Sequence, residues 1–190
     1  MDIYLIRHTR PDLGPGICYG QLDVALAPDC EGDIAAVSAR LGAAAGAPVV
    51  TPSTQRCRRL ADALAAVRAS RVVVEERLRE LDFGEWEGLP WDEIPRVQTD
   101  VWTRDIWNQA APGGESYAAL HERVAAAWET LEARADPVLL VVAPAGPLRT
   151  LLTVALDLPP EAFMRMHLDY GGIAKLCDST GGWRLDFSNR

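Results

Sequence analysis

Arg7 and His8 follow directly on a short apolar run, Ile3 to Ile6, which reads as a buried strand that ends abruptly. In proteins that alternate strands and helices, reactive side chains gather beyond the carboxyl ends of the strands. The same pair also reads as two polar residues leaving a core. A second strand end leads into "TPSTQRCRRLADAL", where Ser53 is suited to cap a helix and Arg56 falls about three residues later. A cation in the first helical turn opposes the helix dipole. An anion held between Arg56 and the free backbone N–H groups would account for it, and so would an ordinary solvated arginine beside Arg58 and Arg59. In "RLRELDFGEWEG", Glu80 has Leu78, Leu81, Phe83 and Trp86 as neighbours. Apolar surroundings favour the protonated carboxyl, and hence a proton donor near neutral pH. Asp82, Glu85 and Glu87 compete for that role, and each alone reads as surface charge. A third strand end, in "LLVVAPAGPLRTLL", places Pro144 where a reactive side chain would stand.

These residues need elements to hold them. A helix is expected over residues 28–42, with Ile34, Val37 and Leu41 on one face, followed by a strand at 48–50. The next helix shows Cys57, Leu60, Leu64 and Val67 at spacings of three and four, and "RVVVEE" is a third strand. Residues 77–112 carry four tryptophans with few clean periods, and a Trp-rich insertion at about 85–112 is expected to cover the site. A long helix from Gly114 to about Arg134 presents Tyr117, Leu120, Val124, Trp128 and Leu131 on its apolar face. "PVLLVV" from residue 137 is the most hydrophobic strand and so belongs at the centre of a sheet. Pro147 suits the first turn of the helix after it. "GIAKLCD" and "GWRLDF" flank Thr180-Gly181-Gly182 as a hairpin. Strands alternating with helices predict a single α/β domain over residues 1–190, an α/β/α sandwich with a mainly parallel central sheet.

Composition narrows the function. A chain of 190 residues, 48% hydrophobic and 24% charged, has the make-up of a globular domain with a substantial core. Its net charge of −8 argues against nucleic acid or an anionic membrane surface as partner. Cys18, Cys30, Cys57 and Cys177 show no metal-binding spacing and read as reduced thiols, which points to the cytoplasm. No apolar run approaches the ~20 residues of a membrane span. Oligomeric state is not legible.

Together "YLIRHT", "TPSTQRCRRLADAL", "LRELDFGEWEG", "PGGES" at 112–116 and "AGPLRTLL" at 145–152 resemble, in order and over nearly the whole chain, the histidine phosphatase superfamily, the phosphoglycerate-mutase-like group. "RHT" followed by "GICYGQLDVALA" is most similar to the α-ribazole phosphatase branch, enzymes that remove the 5′-phosphate from a cobalamin lower-ligand nucleoside. The resemblance implies His8 as a nucleophile that becomes phosphohistidine, Arg7 and Arg56 as phosphoryl clamps, and Glu80 as general acid and then base. It sets Tyr19 and Gly20 against the phosphate, and implies a small phosphorylated metabolite as substrate with no metal or other cofactor.

One position departs from the pattern. In the family the strand of "LLVVAPAGPLRTLL" ends in a second histidine; here Pro144 takes its place, while Ala145, Gly146 and Arg149 remain. Proline offers neither a side-chain donor nor a backbone N–H. Two readings stay open beside a working phosphatase: a disarmed relative that binds a phosphorylated ligand or a protein, and, ranked lower, a phosphoglycerate mutase. Of the remaining histidines, His121 is expected on a helix surface, and His167 stands where it would approach the site from the side.

Overall fold

The structure, a computed structural model, describes residues 1–42 and 46–190. Among the described residues six strands form one mixed sheet: β1 (Asp2–Arg7), β2 (Val49–Thr51), β3 (Val72–Val74), β4 (Val138–Ala143), β5 (Ile173–Ser179) and β6 (Gly182–Phe187). Their order is β3-β2-β4-β1-β5-β6, parallel from β3 through β1 and antiparallel over the closing hairpin. The most apolar strand, β4, sits between β1 and β2, inside the sheet as its composition predicts.

Alternation along the inner strands assigns the layers. Ile3 and Leu5 of β1, with Leu139 and Val141 of β4, pack against Leu120, Val124 and Leu148 of helices α4 (Tyr117–Glu132) and α5 (Ala145–Ala155). Ile6, Leu140 and Val142 face the other way, onto Ile34 and Val37 of α1 (Cys30–Arg40) and Leu60 and Leu64 of α2 (Gln55–Arg68). Burial on both faces is why these strands read as continuous apolar runs. The result is the expected α/β/α sandwich.

Several local expectations shift. Ser53 is exposed and caps nothing; Thr54 is the residue at the start of α2, with extended backbone and no side-chain capping bond. Val67 is 73% exposed, because the buried stripe of α2 runs through Ala61, Ala65 and Arg68 instead. α4 starts at Tyr117, three residues after Gly114, where the Ser116 hydroxyl accepts the Ala119 N–H at 3.3 Å. The tryptophan-rich stretch contains a 3-10 turn at Gly84–Trp86 and one short α-helix, α3 (Arg96–Arg104), beside a small core formed by Cys18, Trp86, Ile94 and Ala111.

Register then places the chemistry. Arg7 pairs with Ala143 across β1 and β4, so the next residues, His8 and Pro144, leave the sheet side by side at its carboxyl edge. No helix among the described residues is long and apolar enough to cross a membrane.

Candidate active site

His8 is 1% exposed. Its Nδ1 lies 2.7 Å from the Thr9 carbonyl oxygen, which can only accept, so Nδ1 carries the proton. Burial first, and then the positive charges of Arg56 and Arg7, push the imidazole pKa from 6.5 down to about 3, against an upward pull from the Thr9 bond. The ring is therefore neutral near pH 7, and its Nε2 lone pair is free to attack an electrophile.

Arg56 is fully buried at the start of α2. Its guanidinium donates to the Leu22 carbonyl at 2.7 Å and to the Gly20 carbonyl. These two carbonyls explain an arginine in the first helical turn without requiring an anion. Glu87 holds the same turn by its amides, accepting from Gln21 at 2.8 Å, from Leu22, and from Phe83 at 3.0 Å. Gly20 fits there because a Cβ would come within 1.8 Å of the Leu81 carbonyl oxygen. The loop after β1 is thus fastened to the 81–87 stretch, and Glu87, which reads as surface charge in the sequence, is one of the fasteners.

Glu80 is half-buried on that stretch. Its carboxylate accepts from Leu81 N at 3.0 Å and from Gly146 N at 3.1 Å, at the start of α5. The backbone beneath it is gripped by Arg123 of α4, which donates to the carbonyls of Arg77 (2.6 Å), Arg79 (2.7 Å) and Glu80 (3.0 Å). Arg123 in turn pairs with Glu115, whose carboxylate also accepts the Asp82 N–H at 3.0 Å.

Arg7, Tyr19, Glu80, Ala145, Arg149 and Tyr170 line one small cleft of about 220 Å3, together with Phe83 and Tyr117. Arg7 donates to the Leu168 carbonyl at 2.7 Å, and its guanidinium lies 3.8 Å from the centre of the Tyr170 ring. The Tyr170 ring also leans on His8, with centroids 5.6 Å apart, and its hydroxyl sits 2.7 Å from that of Tyr19. Among the described residues, the buried Nε atoms of Arg7 and Arg56 and the hydroxyls of Thr9 and Thr54 have no hydrogen-bond partner. Gly20 is turned to Arg56 instead of lining the cleft. Pro144 is buried at the head of α5 and contributes no donor.

His167 does not approach the cleft; it is exposed and bonded to Asp169 at 2.9 Å. His121 is half-buried against the Trp107 ring, at 5.4 Å, not free on the helix surface. Sequence reasoning missed Tyr170, Glu115 and Arg123, and weighed Glu87 only as a competing acid or as surface charge. Tyr170 has a signal in retrospect, an aromatic residue directly before two glycines. Arg123 has none, because most of its partners are backbone carbonyls.

Arg7 and Glu80 thus line one cleft at the sheet's carboxyl edge, and His8 lies buried against Tyr170, which lines it too. The chain belongs to the histidine phosphatase superfamily (branch 1), whose family model matches residues 3–190, and with that membership it is a phosphatase. It is 28% identical over 183 residues to a Hydrogenobacter thermophilus protein provisionally named phosphoserine phosphatase 2, covering 92% of this chain and 88% of that one. The α-ribazole phosphatase of Shigella flexneri superposes with a TM-score of 0.91 over 100% of this chain and 96% of its own, at 19% identity. A mycobacterial glucosyl-3-phosphoglycerate phosphatase does so at 0.86 over 99% and 98%, with 24% identity. At these identities the two structural likenesses are ones of fold.

Proposed function

We propose that the protein is a phosphomonoesterase acting through phosphohistidine on α-ribazole 5′-phosphate or a similar small phosphorylated metabolite. The observation that carries the reading is His8: buried, neutral, with Nδ1 committed to Thr9 and two arginines acting on it. In the first step His8 Nε2 forms a bond to phosphorus, the bond to the leaving oxygen breaks, and Glu80 gives that oxygen a proton. In the second, Glu80 takes a proton from water as its oxygen attacks phosphorus, the N–P bond breaks, and orthophosphate departs. Arg7, which lines the cleft, is the arginine placed to clamp the phosphoryl oxygens; Arg56, buried among loop carbonyls beside His8, adds positive charge behind it, and each keeps a buried Nε without a partner.

Pro144 favours a second reading, a phosphate-binding relative with little turnover. A missing donor of the oxyanion type costs roughly 10²–10³ in rate, which leaves a slow enzyme if the other groups persist. Hydrolysis of p-nitrophenyl phosphate and α-ribazole 5′-phosphate, beside His8→Ala and Pro144→His, separates the two. Turnover that vanishes in His8→Ala, with one phosphoryl group found on His8 in an acid-free quench, supports the enzyme. No turnover above the His8→Ala blank on either substrate, revived by Pro144→His, supports the disarmed relative.

A further inference from the structure

The cleft beside Glu80, at about 220 Å3, falls below the roughly 300–1,000 Å3 of small-molecule sites. A second groove, of about 420 Å3, lies within that range. Pro11, Leu13, Ile17 and Trp91 line it, and Tyr19 and Tyr170 belong to both cavities. This hydrogen-bonded pair is therefore a wall common to both.

The groove is held in shape by its own backbone. Backbone hydrogen bonds tie its two sides together: Cys18 N to Leu89 O (2.8 Å), Gly88 N to Cys18 O (2.8 Å) and Trp91 N to Gly16 O (2.9 Å). Trp91 is held edge-on by Phe83, at 5.5 Å, and by Trp86, at 6.2 Å, yet it keeps 39% of its surface exposed. The four tryptophans thus divide: Trp86 is core, Trp102 packs on both Trp86 and Trp91, Trp107 lies against His121, and Trp91 lines the groove wall. Arg10 is the one charged residue in the lining, and both Asp29 carboxylate oxygens take its guanidinium, at 2.7 and 2.8 Å. The rest of the lining is apolar or aromatic apart from two tyrosine hydroxyls that are bonded to each other, which suits an uncharged ring.

We propose that this groove is the leaving-group subsite, and that it takes an uncharged planar aromatic ring attached to the alcohol from which phosphate is cleaved. The ring stacks on Trp91 while the phosphoryl group reaches His8 past Tyr19 and Tyr170. The assignment rests on the phosphatase reading and adds a substrate class to it: aromatic-ring phosphomonoesters over those with small charged leaving groups.

Calorimetric binding to the His8→Ala protein tests it, with α-ribazole 5′-phosphate and O-phosphoserine as probes. The ring-bearing ester binds about tenfold or more tightly than phosphoserine, in line with base–aromatic stacking. Trp91→Ala removes that preference and Trp91→Phe keeps most of it, with far-ultraviolet dichroism checking that both variants fold. Equal affinities in the His8→Ala protein, or a preference that survives in folded Trp91→Ala, overturn the subsite. Binding of neither ester there, with no turnover by the unmodified protein, overturns the phosphatase reading and the subsite with it. Hydrolysis of both esters without a preference overturns the subsite alone.

Discussion

Glu80 accepts a hydrogen bond from the backbone N–H of Gly146, two residues past Pro144, at 3.1 Å. The contact joins the carboxylate to the element that begins where the second family histidine is missing. It also makes position 146 intolerant of a side chain, since a Cβ there would lie 2.0 Å from Glu80 Oε1.

Gly146→Ala is therefore expected to displace the carboxylate without unfolding the protein. Glutamate is flexible enough to move aside, and alanine favours a helix by about 1 kcal/mol over glycine. The thermal midpoint should stay close to that of the unmodified protein while kcat falls by about 10²–10⁴, the worth of a positioned general acid–base. The loss should be larger for an alkyl phosphate than for p-nitrophenyl phosphate, whose leaving group needs little protonation. Equal losses on both would show that Glu80 is not the acid.

Pro144→His addresses the neighbouring strand end. The Arg7–Ala143 register sets residue 144 beside His8, so an imidazole there emerges at the same edge as the nucleophile. If it restores a donor to the phosphoryl oxygens, the single-turnover rate of phosphoenzyme formation rises by about 10²–10³. An unchanged rate would mean that a group already in the cleft does this work. Arg149 is then the one to change, because it lines the cleft with its Nε spent on the Ala145 carbonyl at 3.2 Å.

Much of this was legible in the sequence, for physical reasons. Ile3 to Ile6 and Val138 to Val142 announce a two-sided sheet because burial on both faces demands unbroken apolar runs. Arg7, His8 and Glu80 are legible because polar residues in apolar company are unusual. What supports them is not. Glu87 and Arg123 act on backbone amides and carbonyls brought together by the fold, and such partners leave no spacing to read. The Arg56 side chain looked solvated or anion-bound, yet it is spent largely on the carbonyls of Gly20 and Leu22, 36 and 34 residues away. Val67 misled because a stripe at spacings of three and four drifts around a helix over several turns, and Arg68 took its place in the core.

The lowered pKa of His8 predicts how stability depends on pH. In the unfolded chain the ring titrates near its ordinary 6.5; in the fold it stays neutral down to about pH 3. Below 6.5 the unfolded state thus binds one proton more than the native state. Stability from this group is complete above 6.5 and is lost as pH falls, at about 1.4 kcal/mol per pH unit until the folded pKa is reached. Urea unfolding of the unmodified protein and of His8→Asn, from pH 7 to 4, should diverge by that slope, with the variant the less acid-sensitive. Parallel curves would mean that His8 is protonated in the native state.

Tyr170 packs against His8 and Arg7 at the cleft and is expected to shield the nucleophile. Its ring lies 3.8 Å from the Arg7 guanidinium and 5.6 Å from the imidazole, and its hydroxyl closes on Tyr19 at 2.7 Å, over a histidine only 1% exposed. Gly171, at φ +68°, and Gly172 follow it, so the chain there is free of side chains that would resist a turn. Tyr170→Ala should uncover Nε2 while leaving the Nδ1–Thr9 bond intact. Diethyl pyrocarbonate, which modifies neutral imidazole, measures this by peptide mass spectrometry. Carbethoxylation of His8 should accelerate by about tenfold or more relative to the exposed His167 in the same molecule, whose side chain is 76% accessible. If that ratio does not change, something other than Tyr170 shields the nucleophile, and the way into the cleft must run elsewhere than between Tyr19 and Tyr170.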